Sequence, residues 1–416
     1  MIYKNTAEFA LELDAKDELK NYRNEFHIPL QKNGEEHIYM CGNSLGLQPK
    51  RTKEYLNQEL EDWATFGVEG HFHAKKPWMP YHEFLTESYA KIVGAKPTEV
   101  VAMNTLTVNL HLMMVSFYRP TEKRHKIIIE GDAFPSDIYA VESQIRHHGL
   151  SVETSLIKLR PRDGESAIRT EDIQTIIENE GDEIALIMLG GVNYYTGQVF
   201  DFEKITKLAH VKGINVGFDL AHAAGNIKLN LHKWGVDFAV WCSYKYLNSG
   251  PGSGAAALLE KKHHNTNLNR FSGWWGHNKE DRFKMPDNFV PIKTAEGWQL
   301  SNPPILSLAA IRASLSIFDE VGMDKLVSKS KELTNYLLFL LASIDTERIE
   351  IITPKERGCQ VSIRVKNGNK ELFDNITEKG VIADWREPDV IRVAPIPLYN
   401  SFKDVFNFYS ILKEKL

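Results

Sequence analysis

Residues 217–254 read GFDLAHAAGNIKLNLHKWGVDFAVWCSYKYLNSGPGSG, and this stretch decides the fold. Asp219 closes a short apolar strand that begins at Ile214, and Lys245 follows 26 positions later, after a second apolar run. The segment 225–236 between them is long enough for the helical crossover that joins two parallel strands. Parallel strands present their carboxyl ends at one edge of a sheet, so the pattern predicts an α/β fold with both side chains close together.

An aspartate and a lysine at one sheet edge are what pyridoxal phosphate requires. The lysine amine forms a Schiff base with the cofactor aldehyde, and the carboxylate keeps the pyridine nitrogen protonated, so the ring withdraws electrons. A buried salt bridge and an unrelated surface lysine are the alternative for Asp219 and Lys245 taken alone. The nearby Ala221-His222 pair and Ser243-Tyr244, directly before the lysine, favour the cofactor.

The composition narrows the class of protein. The chain has 416 residues, a net charge of −5, 43% hydrophobic and 25% charged residues, which is typical of a globular protein of about two domains. Because there is no basic tail or charge block, we expect no nucleic-acid or membrane-surface partner. The N-terminus does not resemble a signal peptide, and no apolar run approaches the ~20 residues of a membrane helix.

The spacing of the cysteines and histidines predicts a protein of a reducing compartment that has no metal site. Cys41, Cys242 and Cys359 are scattered and odd in number, so we expect reduced thiols in a cytoplasmic protein. His71 and His73 form a lone His-x-His pair without a third ligand, which is a weak metal signal. No metal site is therefore predicted.

Hydrophobic periodicity predicts alternating helices and strands from about residue 90. Short, nearly all-apolar strands are expected at 126–130, 184–189 and 214–219, with helices at 139–148, 170–179 and 202–212. Such strands are buried on both faces, as in a parallel sheet that helices cover.

The pattern of predicted helices and strands changes after Pro304. Long helical patterns and then alternating strands indicate a smaller α+β domain; the helices are expected at 306–320 and 325–343, and the strands at 359–365 and 390–394. We therefore predict an N-terminal segment of helix and loop at 1–70, a large domain at 71–310 and a small domain at 311–416.

Six further motifs occur in order: YMCGNSLGLQPK (39–50), FPSD (134–137), YTGQ (195–198), WGVDFA (234–239), GWWGH (273–277) and IRVAPIPLYNSF (391–402). With the lysine motif they resemble the fold-type I pyridoxal-phosphate enzymes of the aspartate-aminotransferase-like superfamily, and specifically the kynureninase family. The resemblance covers essentially the full chain. It implies a transferase-like α/β fold, in which helices flank a mostly parallel sheet and a smaller α+β domain follows.

The resemblance also implies an activity. Kynureninases hydrolyse the Cβ–Cγ bond of L-kynurenine or 3-hydroxy-L-kynurenine to anthranilate or 3-hydroxyanthranilate and L-alanine, in tryptophan catabolism and NAD biosynthesis. The implied assembly is a homodimer with active sites at the subunit interface.

The expected catalytic pair follows from the residue chemistry and the resemblance. Lys245 would bind the cofactor aldehyde and then move the substrate α-proton as a general base. The resemblance assigns Tyr244 to the phosphate, and we expect it to relay a proton. Asp219 would pair with the pyridinium nitrogen, whose charge favours the carboxylate. His222 would hydrogen-bond the cofactor, with a purely structural histidine as the alternative.

Further cofactor contacts are expected around the phosphate and the ring. Leu106 and Thr107 begin an amphipathic helix, whose free N–H groups and Thr hydroxyl can face an anion. An ordinary N-cap is the alternative and is compatible with that function. The resemblance adds Phe134 as the ring stacked on the pyridine, Asp137 as a cofactor contact, Trp274 reaching across the dimer, and Asn302.

An amino-acid substrate needs a partner for its carboxylate. Arg392 is the candidate because a guanidinium forms a bidentate pair, with a surface arginine on an edge strand as the alternative. The resemblance places His71, Ser301 and Asn302 at the aryl-ketone end and adds Ser44 as another contact. Polar partners there suit a ring hydroxyl, so we expect 3-hydroxykynurenine to be preferred.

Gly190 departs from the family pattern, since some relatives carry a hydroxyl residue there near the cofactor. The departure removes one hydrogen-bond donor from the expected site.

Three alternatives stay open. A cysteine desulfurase needs a mobile nucleophilic cysteine, and Cys359 at the start of a predicted strand suits that role poorly. An aminotransferase would convert the cofactor to its amine form in half-reactions with a keto acid. An inactive homologue with a binding or scaffold role is disfavoured by the presence of Lys245, Asp219 and Arg392.

Overall fold

The computed structural model describes residues 2–344, 347–366 and 370–416. Its α-helices are α1 (Ala7–Lys16), α2 (Thr52–Phe66), α3 (Gly70–His73), α4 (Thr86–Val93), α5 (Leu106–Phe117), α6 (Pro135–His147), α7 (Val152–Ser155), α8 (Thr170–Glu180), α9 (Phe202–Val211), α10 (Leu231–Trp234), α11 (Ile305–Val321), α12 (Met323–Leu341), α13 (Lys370–Glu378) and α14 (Phe402–Lys415). Its strands are β1 (Ile38–Tyr39), β2 (Val100–Ala102), β3 (Lys126–Glu130), β4 (Leu156–Leu159), β5 (Ile184–Gly190), β6 (Asn215–Asp219), β7 (Phe238–Cys242), β8 (Ala255–Leu259), β9 (Ile349–Ile351), β10 (Val361–Val365), β11 (Val381–Ile382), β12 (Asp384–Arg386) and β13 (Val390–Val393).

A seven-stranded sheet in the order β2-β8-β7-β6-β5-β3-β4 forms the centre of the large domain. Strands β7, β6, β5, β3 and β4 run parallel, whereas β8 is antiparallel to both of its neighbours. The predicted mostly parallel α/β sheet is therefore confirmed. The register pairs Gly190 with Asp219, so the carboxyl ends of β5 and β6 lie side by side.

Helices cover both faces of this sheet, which explains why most residues of its strands are apolar. On one face, the ring of Phe117 from α5 stacks on Phe238 of β7 at 4.9 Å between centroids. On the other face, Phe202 of α9 lies 4.4 Å from Phe218 of β6. Each fully buried phenylalanine contributes roughly 2–3 kcal/mol of burial free energy. None of the helices in the described ranges is long and apolar enough to cross a bilayer.

The smaller domain contains an antiparallel sheet in the order β12-β13-β10-β9, with helices α12 to α14 packed nearby. The beginning of the chain packs with it, because α1 contacts α14 and β1 pairs in parallel with β11. Helix α11 runs through residue 310. The predicted domain limits, 70/71 and 310/311, stay predictions.

The connection between β6 and β7 is less helical than predicted. Of the segment 225–236, only the single turn α10 is α-helical, because Gly225 and Gly235 adopt left-handed φ values of 79° and 70°. A Cβ atom at Gly225 would lie 2.7 Å from Leu247 Cδ2. The crossover therefore packs directly against the loop that carries Lys245.

The buried carboxylate of Asp237 ties the elements around this connection together. One oxygen accepts hydrogen bonds from the Val216 N–H and from His210, both at 2.8 Å. The other lies 2.8 Å from His263 Nε2 and 2.7 Å from Lys262 Nζ. Burial alone would raise the pKa of Asp237, but the hydrogen bonds from His210 and His263 and the charge of Lys262 hold it well below its usual range.

We expect Asp237→Asn to lower the free energy of unfolding at pH 7 by about 3 kcal/mol, because buried donors lose a charged acceptor. The depressed pKa stabilises the fold above the unfolded value of about 3.9, and this contribution is lost as the pH falls below it. Urea unfolding at pH 7 and pH 3 should show the wild-type–variant difference shrinking at pH 3.

Asp182→Asn provides the control, since its carboxylate lies in an exposed ion pair 3.7 Å from Lys123. Equal losses in the two variants, or a difference independent of pH, would contradict the role given to Asp237.

Candidate active site

A cavity lies at the carboxyl edge of β3, β5 and β6. Eight residues that the sequence assigned to the cofactor line it together: Leu106, Thr107, Phe134, Asp137, Asp219, His222, Tyr244 and Lys245. Gly190 also lines the cavity. The fold thus brings residues from five separate segments of the chain to one place.

Lys245 lies just beyond β7, where its ammonium meets a buried histidine. Lys245 Nζ is 3.0 Å from His222 Nε2, and His222 Nδ1 lies 3.4 Å from the hydroxyl of Tyr246. Burial, followed by the charges of Lys245 and Arg392, lowers the pKa of His222 well below its usual value. The imidazole is therefore neutral at neutral pH and can accept a hydrogen bond from the Lys245 ammonium.

Two buried carboxyl groups share the cavity with Lys245. Asp219 Oδ1 accepts a 2.6 Å hydrogen bond from the Ala221 N–H, and burial raises the pKa of Asp219. Burial and the charge of Asp219 raise the pKa of Asp137 well above its usual value. Asp137 is therefore the protonated partner, and its Oδ1 is buried without a hydrogen-bond partner in the described part of the chain. Asp137 lines a cavity that can hold a polar ligand, and such a ligand would give a buried polar atom of this kind a partner.

The N-terminus of α5 forms another part of the cavity wall. Thr105 is extended at φ −116° and ψ 165°, and no described side chain caps the helix. The first N–H groups of a helix lack internal partners, and the helix dipole favours an anion beside them. Leu106 and Thr107 can therefore bind a phosphate group at this wall.

Aromatic rings complete the cavity. The Phe134 ring, 43% exposed, lies 5.8 Å from Lys245 Nζ and 5.4 Å from the ring of Tyr194. Burial raises the pKa of Tyr244, so its phenol keeps its proton and can donate a hydrogen bond. A lysine, a buried acid, an anion-binding helix end and an aromatic platform together fit pyridoxal phosphate.

Arg392 lies behind Tyr194, outside the cavity lining. Its Nη1 donates to the Tyr194 carbonyl and its Nη2 to the carboxylate of Asp384, while its buried Nε has no partner among the described residues. Arg386 donates to the same Asp384 oxygen at 3.0 Å. Burial lowers the pKa of Arg392, and the charge of Asp384 opposes that shift.

The other predicted contacts lie outside this cavity in the single chain. Ser44, Ser301 and Asn302 are exposed, and the Trp274 side chain, 40% exposed, donates from Nε1 to the Arg282 carbonyl at 3.2 Å. The His71 ring makes an edge contact with Trp78. Their assignments stay predictions.

Sequence reasoning missed Glu130 and Tyr194, which also line the cavity. A usable signal existed for Glu130, because it closes the apolar strand KIIIE as Asp219 closes its own strand. Tyr194 follows β5 in an irregular loop, and the periodicity of the sequence carries no signal for its position.

Comparisons with known proteins agree with the fold. Residues 326–412 match the family model described as the kynureninase C-terminal domain. A cysteine desulfurase from Thermococcus onnurineus superposes with a TM-score of 0.78 at 17% identity, covering 95% of this chain and 97% of that chain. The Escherichia coli cysteine desulfurase CsdA gives 0.77 at 16% identity, with the same coverages. These solved structures show the fold alone.

Curated relatives are much more similar in sequence. A kynureninase of Flavobacterium psychrophilum is 56% identical over 100% of this chain and 99% of its own length. A kynureninase of Koribacter versatilis is 57% identical over 98% of this chain and 97% of its own, and one of Myxococcus xanthus is 54% identical over 99% and 98%.

The fold and the residues gathered at the sheet edge define a pyridoxal-phosphate enzyme of fold type I. Within that class, identity above 50% along the full chain is decisive. The chain belongs to the kynureninase family.

Proposed function

We propose that this protein hydrolyses the Cβ–Cγ bond of L-kynurenine and 3-hydroxy-L-kynurenine, releasing anthranilate or 3-hydroxyanthranilate and L-alanine. The observation that carries the proposal is the Lys245 ammonium, held 3.0 Å from a neutral His222 in a cavity that it shares with the buried Asp219. The family of the chain supplies the substrate class. Tryptophan catabolism and NAD biosynthesis are the proposed context, and the cytoplasm is the proposed location.

Several lining residues have a proposed task in this reaction. When bound, pyridoxal phosphate withdraws electrons from the substrate α-carbon. Lys245 holds the cofactor and then transfers the α-proton as a general base. Asp219 holds a proton on the pyridine nitrogen, and the N-terminus of α5 binds the phosphate. Phe134 packs against the ring.

Arg392 is the proposed site for the substrate carboxylate. Its guanidinium is buried and oriented by Asp384 and by the Tyr194 carbonyl, and its buried Nε has no hydrogen-bond partner among the described residues. We propose His71, Ser301, Asn302 and Ser44 as contacts for the rest of the substrate. A polar pocket of this kind rewards a ring hydroxyl, so 3-hydroxykynurenine is the proposed preferred substrate.

A homodimer is part of the proposal because large apolar side chains are exposed beside the predicted substrate residues. On segment 271–290 these are Phe271, Trp274, Phe283, Met285 and Val290, and near His71 they are Trp63, Phe66, Val68 and Phe72. Extended apolar patches of this kind mark protein interfaces. In a dimer, Trp274 would complete the partner's site.

The wild-type protein should release equimolar aryl acid and alanine from both kynurenines, with the larger kcat/KM for the 3-hydroxylated one. Lys245→Ala should lower turnover at least 1,000-fold, because the cofactor-binding amine and the general base are lost together. Fluorescence of the aryl acid and chromatographic quantification of alanine provide the measurements.

Borohydride reduction should attach the cofactor to wild-type protein but not to Lys245→Ala. Lys228→Ala is the matched control, since its exposed ammonium pairs with Asp324 at 2.6 Å and Lys228 does not line the cavity. Cofactor-loaded wild-type protein that cleaves neither kynurenine would contradict the proposed function.

Tyr244→Phe should lower kcat about 100-fold while the absorbance of the bound cofactor persists at saturating cofactor. The phenol keeps its proton at working pH, so its removal deletes a donor without changing the charge of the cavity. Stopped-flow absorbance and steady-state turnover measure the two effects. Unchanged turnover would exclude the proton-relay role.

Sedimentation should give about twice the 47.5 kDa mass of the chain. Lys245→Ala and Trp274→Ala homodimers should each be weakly active, and subunit exchange between them should restore activity. Each hybrid contains one site with Lys245 from one subunit and Trp274 from the other. Exchange without recovery, although hybrids form, would show that Trp274 does not serve the partner's site.

A cysteine desulfurase is the second candidate, since solved desulfurases share the fold. Cys359 is 1% exposed, its N–H donates to Asn226 at 2.9 Å, and burial raises the pKa of its thiol. A buried, protonated thiol is a poor nucleophile. Sulfide release from cysteine that Cys359→Ser abolishes would favour this candidate.

A further inference from the structure

Glu130 is a buried acid in the cavity for which the proposed mechanism has no task. It ends β3, and its side chain is 2% exposed. Its Oε2 accepts a 2.9 Å hydrogen bond from the Gly190 N–H. No lysine or arginine among the described residues forms an ion pair with it, so no cation compensates a negative charge there.

The other carboxyl oxygen of Glu130 lies beside the space that Gly190 leaves open. A Cβ atom at position 190 would lie 3.1 Å from Glu130 Oε1. Both residues line the cavity. A hydroxyl side chain at 190 would therefore compete with the Glu130 carboxyl for the same part of the wall.

We propose that Glu130, in its protonated form, donates a hydrogen bond to an oxygen of the bound cofactor and so takes the place of a hydroxyl at position 190. The carboxyl acts as a donor while it holds its proton and only as an acceptor once it is ionised. This inference rests on the cofactor assignment of the proposed function.

The electrostatic surroundings keep that proton available near neutral pH. Burial raises the pKa of Glu130 to about 7, against the hydrogen bonds from the Gly190 N–H and Asn193, and the charge of Asp219 raises it further. The charged and titratable groups that line the cofactor cavity beside Glu130 are Asp137, Tyr194, Asp219, His222, Tyr244 and Lys245. A second cavity that Glu130 lines has Asp132, Glu165, Tyr195 and Arg364.

Glu130 also lines a second cavity, on the side away from Lys245. Asp132, Glu165 and Arg364 are among the polar residues of that cavity. The carboxyl can therefore exchange its proton from this side while the cofactor remains bound.

The sign of the pH effect follows from the donor role. Below pH about 7 the protonated carboxyl donates to the cofactor, and above it the donor is lost and the carboxylate repels an acceptor oxygen. One hydrogen bond is worth about tenfold in affinity. Wild-type protein should therefore bind pyridoxal phosphate about tenfold more weakly at pH 8.5 than Glu130→Gln does, with no such gap at pH 6.

The experiment is a titration of each protein with pyridoxal phosphate at pH 6 and pH 8.5, followed by absorbance and by equilibrium dialysis. Glu130→Gln keeps a neutral donor, so its affinity should not show the drop between pH 6 and pH 8.5 that is expected of the wild type. Glu130→Ala should bind about tenfold more weakly at pH 6. Gly190→Ser in the Glu130→Ala background should restore binding, because the shortened side chain leaves room for the hydroxyl.

Asp132→Asn is the matched control, since this exposed acid two residues away pairs with Arg160 at 3.3 Å. It should titrate like the wild type, and circular dichroism verifies that every variant is folded. The same pH step in Glu130→Gln, or wild-type affinity in Glu130→Ala, would overturn the role of Glu130. Wild-type protein that forms no cofactor absorbance at either pH would instead overturn the cofactor assignment.

Discussion

The site depends on a charge balance among groups that burial has separated from water. Glu130, Asp137 and Asp219 line a cavity to which Lys245 contributes the ammonium. Three ionised carboxylates beside one cation would cost too much free energy in a cavity shielded from water. Protons must therefore remain on some of the three groups. Asp137 holds a proton, which leaves Asp219 as the group that a cationic ring nitrogen can ionise. His222 stays neutral because the same cavity disfavours a second cation.

The fold enforces this crowding through two kinds of close approach. Parallel register aligns the ends of β3, β5 and β6, so acids that close separate strands meet at one edge. Glycine then allows two other segments of the chain to lie close to the loop that carries Lys245. A Cβ at Gly46 would lie 2.4 Å from the Lys245 carbonyl oxygen, and one at Gly225 would lie 2.7 Å from Leu247. A side chain at Gly46 would displace the backbone of the loop that carries Lys245, and one at Gly225 would force the Leu247 side chain to move.

Local patterns in the sequence predicted most of the large-domain sheet and the central part of the site. The strand at 126–130 was predicted with its observed limits, and the meeting of Asp219 with Lys245 followed from the geometry of parallel strands. Contacts between distant segments had no such signal. The pairing of β1 with β11 is one example, and the position of Arg392 behind Tyr194 is another. Glu130 also closes an apolar strand at the same sheet edge, so the same reasoning could have predicted its position. It has no neighbouring motif that would mark it as a functional residue.

The contacts of Arg392 give the two domains a joint role in the proposed reaction. Arg392 and Asp384 belong to the small-domain sheet, whereas the Tyr194 carbonyl that accepts from Arg392 follows β5 of the large domain. Gln360 Nε2 donates to that same carbonyl at 2.9 Å, which adds a second link across the domains. A substrate held by Arg392 at its carboxylate and by the cofactor at its amine would span the two sheets. The packing between the domains would then orient its reactive bond. This orientation matters for the proposed reaction, since a displacement of about 1 Å can cost roughly 100-fold in rate.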